Sequence, residues 1–416
     1  RSVSGPALER VFRAASGRII AVLAARYRSL ALAEDAFSEA CLKALRAWPE
    51  SGVPEDTAAW LYRAASRVIL DALRQQSVRE RHSVIEPPPE PSIEEQLADD
   101  GAVIPDERLR LILICCHPAV AQDTRAALTL RLVCGLTVTE IARAFLIEEA
   151  ALAQRLVRAK RKIAEAGISF ELPPPERWPE RLEAVLSTLE IAYSRAHEDA
   201  SGTAARAHFA AEVLHLTSLL VQLLPDEGEA HALAALVRYS EARRPARVDE
   251  EGLMVPLSDQ DPRLWSRERI AEADALLERA AKLGPPTARL LQAALQSAWC
   301  TRSSLAQPPP WPEILRLYDQ LIRYRDDSFV RINRAVALAE VQGPEAALRE
   351  LESLDCEKLA GFAPYHAVRA DFLMRVGRRG DARQAYETVL SLAPPPAEER
   401  WLRRKLKMLE NETVRS

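Results

Sequence analysis

Apolar residues recur at helical spacing through most of the chain, and no run alternates as a strand would. Between Ala7 and Tyr27 the apolar positions Leu8, Val11, Phe12, Ala15, Ile19, Val22 and Leu23 step by three and four, the period of a helix with one buried face. The same spacing predicts a second helix from about Ala31 to Trp48, stopped by Pro49 and Gly52-Val53-Pro54, and a third from about Thr57 to Gln76. Ser83 to Ile104 breaks the pattern. It holds Pro87-Pro88-Pro89 and Pro91 and the acids Glu86, Glu90, Glu94, Glu95, Asp99 and Asp100, with no Lys or Arg, which reads as an extended acidic linker. Helical spacing resumes over 105–168 and stops at Pro173-Pro174-Pro175. From Trp178 to about Leu409, helices alternate with breaks at Pro225, Pro285-Pro286, Pro308-Pro309-Pro310 and Pro394-Pro395-Pro396, the punctuation of a helical repeat.

Arg125 to Gly167 has a finer grain. A first helix carries Ala126, Leu128, Leu130 and Leu132, and Gly135 breaks it. Thr137 stands three residues before Glu140, the spacing of a capping box, and opens a short helix with Ile141, Ala142 and Phe145 on one face. A tight connection at 146–148 leads to a last helix, Glu149 to Ala166, with Ala150, Leu152, Ala153, Leu156, Val157 and Ile163 on its apolar side. Gln154, Arg155, Arg158, Lys160, Arg161 and Lys162 form the other side. Helix, tight turn and basic final helix is the plan of a helix-turn-helix. Gln and Arg can pair with base edges in the major groove, and Lys and Arg can anchor phosphates. Thr137 and Thr139, at the entrance, join these six as candidate DNA contacts. An ordinary solvated basic face is the alternative.

Composition narrows the class. The 416 residues are 48% hydrophobic and only 6% aromatic, and the net charge of −4 leaves DNA binding to a local basic face. Length gives two to four domains, and the Ala, Leu, Arg and Glu content favours an all-α chain. No apolar run approaches the ~20 residues that span a bilayer, so a cytoplasmic location is expected. Cys41, Cys115, Cys116, Cys134, Cys300 and Cys356 make no CxxC pair. Adjacent ligands such as Cys115-Cys116-His117 rarely close on one ion, so buried helix cysteines are expected and no metal or cofactor. Without a Gly-rich phosphate loop, HExxH or GxSxG, no enzyme is expected.

The run RAALTLRLVCGLTVTEIARAFLIEEAALAQRLVRAKRKIAEAGISF, Arg125 to Phe170, resembles the DNA-binding end of extracytoplasmic-function sigma factors. It looks most like the subgroup with a C-terminal tetratricopeptide-like extension. IPDERLRLILICCHPAVA (Ile104–Ala121), LLPDEGEAHALAALVRYSEARRPAR (Leu223–Arg247) and LSDQDPRLW (Leu257–Trp265) resemble the same subgroup. The resemblance implies a sigma-2-like domain at 1–82 that docks on core RNA polymerase and engages the downstream promoter element. It implies the linker at 83–104, threading toward the polymerase active-site channel. A sigma-4-like domain at 105–172 would read the upstream element, and a tetratricopeptide-like regulatory domain would occupy 176–416. Catalysis would belong to the polymerase.

By the same resemblance Glu34, Asp35, Ser38 and Glu39 are the polymerase-binding candidates, with Ser38 where similar proteins carry Gln. Ser66-Arg67-Val68 stands where they carry Arg-Asn-Arg near the melted DNA, which leaves Arg63, Arg67, Arg74, Arg79 and Arg81 as a shorter basic surface. A solvated face is again the alternative. Tyr193 to Asp199 departs from an Asn-Glu-Gly-Tyr run. Around Gly377, the residues Ala370, Leu373, Ala382, Tyr386 and Pro394 fall at tetratricopeptide positions, and Phe209–Pro225 and Ile332–Leu354 fit loosely. Such stacks present a groove for a peptide or protein; a rigid cap is the alternative. Two functions follow: a sigma factor regulated by its fused domain, or a degenerate sigma-like regulator that binds DNA or polymerase without melting promoters.

Overall fold

The computed structural model describes residues 5–80, 110–145, 147–166, 178–197 and 204–413. The acidic linker at 83–104 lies outside the described residues, as do Arg81 and the side chain of Arg79. Every regular element among the described residues is a helix, and the one β-bridge, Val248 to Met254, is isolated. The chain divides into two compact units, Arg1–Arg195 and Ala196–Ser416.

The first unit begins with α1 (Gly5–Tyr27), α2 (Leu30–Ser51) and α3 (Thr57–Glu80). Ser29 caps α2 by accepting the Leu32 amide at 3.2 Å. The expected stop at Pro49 is passed by one turn. Proline removes only one ladder bond there, and the Ser51 hydroxyl donates to the Ala47 carbonyl at 2.9 Å. The helix ends at Gly52, whose φ of 81° puts it in the left-handed region and whose amide bonds the Trp48 carbonyl at 3.0 Å. Ile19, Ile20 and Leu23 of α1, Phe37 and Trp48 of α2, and Leu61, Tyr62 and Ile69 of α3 are buried. Trp48 sits between Phe12 at 5.6 Å and Trp60 at 5.3 Å, an aromatic seam that fixes how the three helices meet.

Helical residues 110–115 precede α4 (Gln122–Leu132), α5 (Val138–Phe145) and α6 (Glu149–Glu165). Cys115, Cys116 and Cys134 are buried, as expected of core cysteines; Cys41 is half-buried and Cys356 exposed. The His117 ring accepts the Ala119 amide at 3.0 Å. The boundary expected at the triple proline differs by one helix from the division at Arg195. Most of α7 (Trp178–His197) belongs to the first unit. Its Val185, Leu186, Leu189 and Tyr193 are buried, and Thr188 bonds the Cys116 thiol, which also lies 3.5 Å from the Thr129 hydroxyl. A proline run marks where a helix cannot continue, not where packing stops.

The second unit holds α8 (Ala204–Leu223), α9 (Gly228–Ala242), α10 (Arg267–Leu283), α11 (Ala288–Cys300), α12 (Trp311–Leu321) and α13 (Ser328–Gln342). It continues with α14 (Pro344–Glu352), α15 (Cys356–Leu359), α16 (Ala363–Arg375), α17 (Arg379–Ser391) and α18 (Pro396–Thr413). Ser266, Thr287 and Asp327 cap α10, α11 and α13. The core is a succession of clusters: one around Tyr239, Trp265 and Ala293, one around Trp299, Leu317 and Val330, one around Leu351, Phe372 and Tyr386. Each draws on helices close in sequence. At Gly377, φ is 81°, and the flanking Ala370, Leu373, Ala382 and Tyr386 are all buried between α16 and α17.

Phe372 is 1% exposed and central to the last cluster. Phe372→Ala should cost the second unit about 3–5 kcal/mol, because the surrounding helices cannot close fully on the void. Met408→Ala, at an exposed position, should change stability by less than about 0.5 kcal/mol. Urea unfolding followed by a probe in the second unit checks the pair; equal effects would contradict this packing.

Candidate nucleic-acid interface

Residues 122–165 form the helix, turn and helix that the spacing predicts. Gly135 has φ 67°, a left-handed turn that lets the Leu136 amide reach back to the Leu130 carbonyl at 3.1 Å. The capping box is made in both directions. The Thr137 amide donates to Glu140 Oε2 at 2.7 Å, and the Glu140 amide donates to Thr137 Oγ1 at 3.1 Å. Thr139 donates to Glu149 Oε1 at 2.8 Å, which ties the start of α5 to the start of α6. Both threonine hydroxyls therefore have partners in the turn itself.

Helix α6 seats Leu152, Leu156, Ala159 and Ile163 in the core. Gln154, Arg155, Arg158, Arg161 and Lys162 are exposed. Arg161 pairs with Glu165 at 3.2 Å, with both side chains open to solvent, so the pair contributes little. Two apolar assignments are corrected: Ala150 is exposed, and Val157 is 61% exposed. At 100° per residue Val157 falls on the stripe of Gln154 and Arg161, away from the 152–156–163 seam.

On α3, Arg63, Arg67 and Arg74 are exposed. Spacings of four and seven set all three on one helix face. Arg74 also lies 3.2 Å from Asp71, again in solvent. Of the 66–68 run only Arg67 faces outward; Ser66 and Val68 are half-buried. On α2, Asp35 and Ser38 are exposed and Glu39 is half-buried.

Glu34 behaves differently. Its side chain is only 11% exposed and holds two cations of the helix-turn-helix: Arg131 Nε donates to Oε1 at 2.7 Å, and Lys160 Nζ donates to Oε2 at 2.6 Å. Lys160 is thus turned inward, 17% exposed, unlike the five exposed residues of its helix. Arg131 is braced by a 3.0 Å bond to the Leu136 carbonyl of its own turn. Burial alone would raise the Glu34 carboxyl pKa. Lys160 and Arg131 outweigh it and hold the carboxyl below its ordinary value, so the stabilisation is complete above that value and is lost as pH falls through the lowered one. Removing one member of such a group leaves a buried charge unpaired, at about 3–5 kcal/mol. Sequence reasoning missed Arg131. Its signal was a lone cation set between the core residues Leu130 and Leu132, directly before a glycine turn.

A second contact lies beside this one. A Cβ built on Gly17 of α1 would stand 2.1 Å from the Val133 carbonyl oxygen, so glycine alone allows α1 to reach the end of α4. Between them an apolar recess of about 350 Å³ is lined by Phe12, Ile20, Phe37, Leu42, Arg131 and Thr137. Burial pushes the Cys41 thiol at its edge up to about 12. Burial, helped by the neighbouring Cys116 and Cys134 thiols and Glu34, raises Cys115 well above the ordinary thiol value. These cysteines are protonated core groups with little nucleophilic character.

No helix among the described residues is long and apolar enough to cross a membrane. The family described as Sigma-70 region 2 matches residues 11–79, and Sigma-70, region 4 matches 110–163. A family of unknown function, DUF6596, matches 181–281. An uncharacterized protein of Rhizobium meliloti (strain 1021) is 40% identical over 395 residues, covering 93% of this chain and 92% of that protein. No solved structure matches the chain. Region 2 thus covers α1 to α3, and region 4 covers the helices that carry the capped turn and the basic final helix. The chain belongs to the sigma-70-type sigma factors and carries an extra C-terminal domain.

Proposed function

We propose that the chain is an extracytoplasmic-function-type sigma factor. It works in the cytoplasm, directs core RNA polymerase to specific promoters, and is regulated by its fused C-terminal helical-repeat domain. The observation that carries the reading is α6: it buries one apolar seam in a capped helix-turn-helix and presents Gln154, Arg155, Arg158, Arg161 and Lys162 on the open side. In the major groove Gln154 and Arg158 reach base edges, while Arg155, Arg161 and Lys162 hold phosphates. Arg63, Arg67 and Arg74 take the downstream element, and Asp35, Ser38 and Glu39 dock the polymerase. Thr137 and Thr139 act by ordering the turn. The chain itself performs no chemistry and takes no cofactor or metal; bond formation belongs to the polymerase.

One observation favours the second reading, a regulator that binds without melting: α3 offers one outward cation at 66–68. Permanganate footprinting of the holoenzyme on a promoter it selects separates the two. Reactive thymines at the start region are expected. A bound but fully duplex promoter would leave the second reading.

For the regulatory domain, the succession of clusters along 235–409 supports a linear stack of helix pairs, whose open face would take a peptide or protein. A chain ended after Arg195 should keep the helix-turn-helix folded. One ended after Pro175 should lose stability, because the seat of Val185, Leu186 and Leu189 is uncovered. Promoter output from the longer truncation should differ from that of the full chain. Equal run-off product at equal salt would remove the regulatory role.

Arg158→Ala should weaken binding to the selected duplex by about 1–3 kcal/mol and relax the base preference at one position. The fold should be unchanged, since Arg158 is exposed. Binding isotherms on matched and substituted duplexes check this. An unaltered affinity would take Arg158 out of the interface.

A further inference from the structure

The segment between α9 and α10 breaks the rule of a repeat stack, in which each unit meets only its neighbours. Residues 247–260 run from the first cluster of the second unit to its last helix. Leu257 packs against both the Tyr239 and the Trp299 clusters. The Ser258 carbonyl accepts from Arg302 at 2.9 Å, and Arg302 is 1% exposed. The Gln260 side-chain amide donates to the Val255 carbonyl at 3.2 Å. Burial raises the Asp371 carboxyl of α16, and the charge of Asp259 adds to the rise, so the segment also lies near α16. Residues 248–255 fold back as a tight turn. The Asp249 amide donates to the Leu253 carbonyl at 3.0 Å, and the Val255 amide donates to the Arg247 carbonyl at 2.8 Å. Asp249 Oδ1 accepts the Glu251 and Leu253 amides, and Gly252 makes the bend with φ 74°. This turn lies on α18. The Met254 amide donates to the Ala397 carbonyl at 3.2 Å, Arg400 donates to the Gly252 carbonyl at 2.8 Å, and Arg404 meets Glu251 at 3.3 Å.

The two ends of the segment are held differently. Residues 257–260 are anchored by apolar packing and a buried guanidinium. The turn presents the acids Asp249, Glu250 and Glu251 to solvent, and only Leu253 of 248–255 is buried. Its one ion pair joins side chains 60% and 72% exposed, so that pair contributes little. We infer that the α18 end of the repeat unit is a docking surface for an extended acidic peptide of a partner protein, and that 248–255 is its built-in occupant, which such a peptide displaces. This rests on the reading that the repeat domain takes a peptide or protein. The occupant on the surface shows what fits it: a main chain that both donates and accepts, three acids, and an apolar side chain after the glycine. Main-chain bonds supply the grip and side-chain seats the selectivity. Arg400, Arg403, Arg404 and Lys407 are exposed cations, but the Ala397 carbonyl calls for a donor, which a phosphodiester lacks. A tethered turn acts at an effective concentration of about millimolar, so a free peptide competes poorly until the turn is loosened.

Gly252→Val loosens the turn and leaves the residues of α18 unchanged. A β-branched residue is strained at φ 74°, and its Cβ would stand 3.0 Å from the Arg400 guanidinium. The probe is a fluorescein-labelled synthetic peptide of residues 247–256, read by anisotropy on the full-length chain. Gly252→Val should bind it at least about tenfold more tightly than the wild type, as expected where the occupant fills the surface about nine parts in ten. Adding Arg400→Ala should return the affinity to the wild-type level. A scrambled peptide of the same composition should gain nothing. Hydrogen exchange of the wild type gives a second measure that needs no variant. The amides of 252–255 should exchange by local opening, at least about a hundredfold faster than those of α16 and α17.

Exchange of 252–255 at the rate of α16 and α17 would make the turn a fixed part of the fold and overturn the proposal, whether or not Gly252→Val folds. Equal affinity of the two chains for the peptide would also overturn it, as would an equal gain by the scrambled peptide. A random-sequence 30-base-pair duplex that displaces the peptide from Gly252→Val would make α18 a phosphate surface instead. The regulatory reading fails on a different result, equal run-off product from the full chain and from the chain ended after Arg195, which does not enter the peptide measurement.

Discussion

A carboxylate taken nine-tenths out of water must find positive charge, and Glu34 finds it across the first unit. Desolvating one such ion costs several kcal/mol even after relaxation. Glu34 therefore cannot be buried on α2 until Arg131 and Lys160 arrive from the helix-turn-helix. That requirement fixes the register of the two parts, because Arg131 and Lys160 come from different helices and converge only when both are folded. Arg131 is already braced on the Leu136 carbonyl, so little side-chain freedom remains to be lost when the carboxylate meets it. A hydrophobic trio could stabilise the same contact as well or better. What the ionic trio adds is reversibility, since each member has a solvated alternative.

The steric contact at Gly17 gives the ionic one its geometry. Without a Cβ, α1 comes close enough to Val133 for the apolar recess between Phe12, Ile20, Phe37 and Leu42 to form beside the charges. That wall lowers the local dielectric and strengthens the pairing. Packed interfaces of this kind favour discrete states over graded ones. Backbone held against backbone by a missing methyl is either in register or apart.

Much of this was legible in the sequence where a local rule sufficed. The existence of α1 to α3, the Gly135 break, the Thr137–Glu140 capping box and the 152–156–163 seam all depend on residues within a few positions of one another. Around Gly377, the local spacing marked Ala370, Leu373, Ala382 and Tyr386, all buried. Three features were not. Pro49 was read as a stop, but one lost ladder bond near a helix end is tolerated when Ser51 and Gly52 close the last turn. Val157 was assigned inward from its type, although its angle on the helix places it outward. From beyond the proline run at 173–175, Thr188 of α7 reaches back to the Cys116 thiol. The Glu34 pairs with Arg131 and Lys160 join residues 97 and 126 positions apart, and no periodicity reaches that far.

A net charge of −4 says little about the local fields on the chain. Long-range repulsion from the acidic excess is screened within about 8 Å at physiological salt, so it cannot by itself keep phosphate from α6. Arg155, Arg158 and Lys162 remain exposed. The Glu34 group takes one cation of α6, Lys160, out of solvent and leaves the others on its open face. Glu34, Arg131 and Lys160 are under a third exposed, so their pairing is little screened by salt.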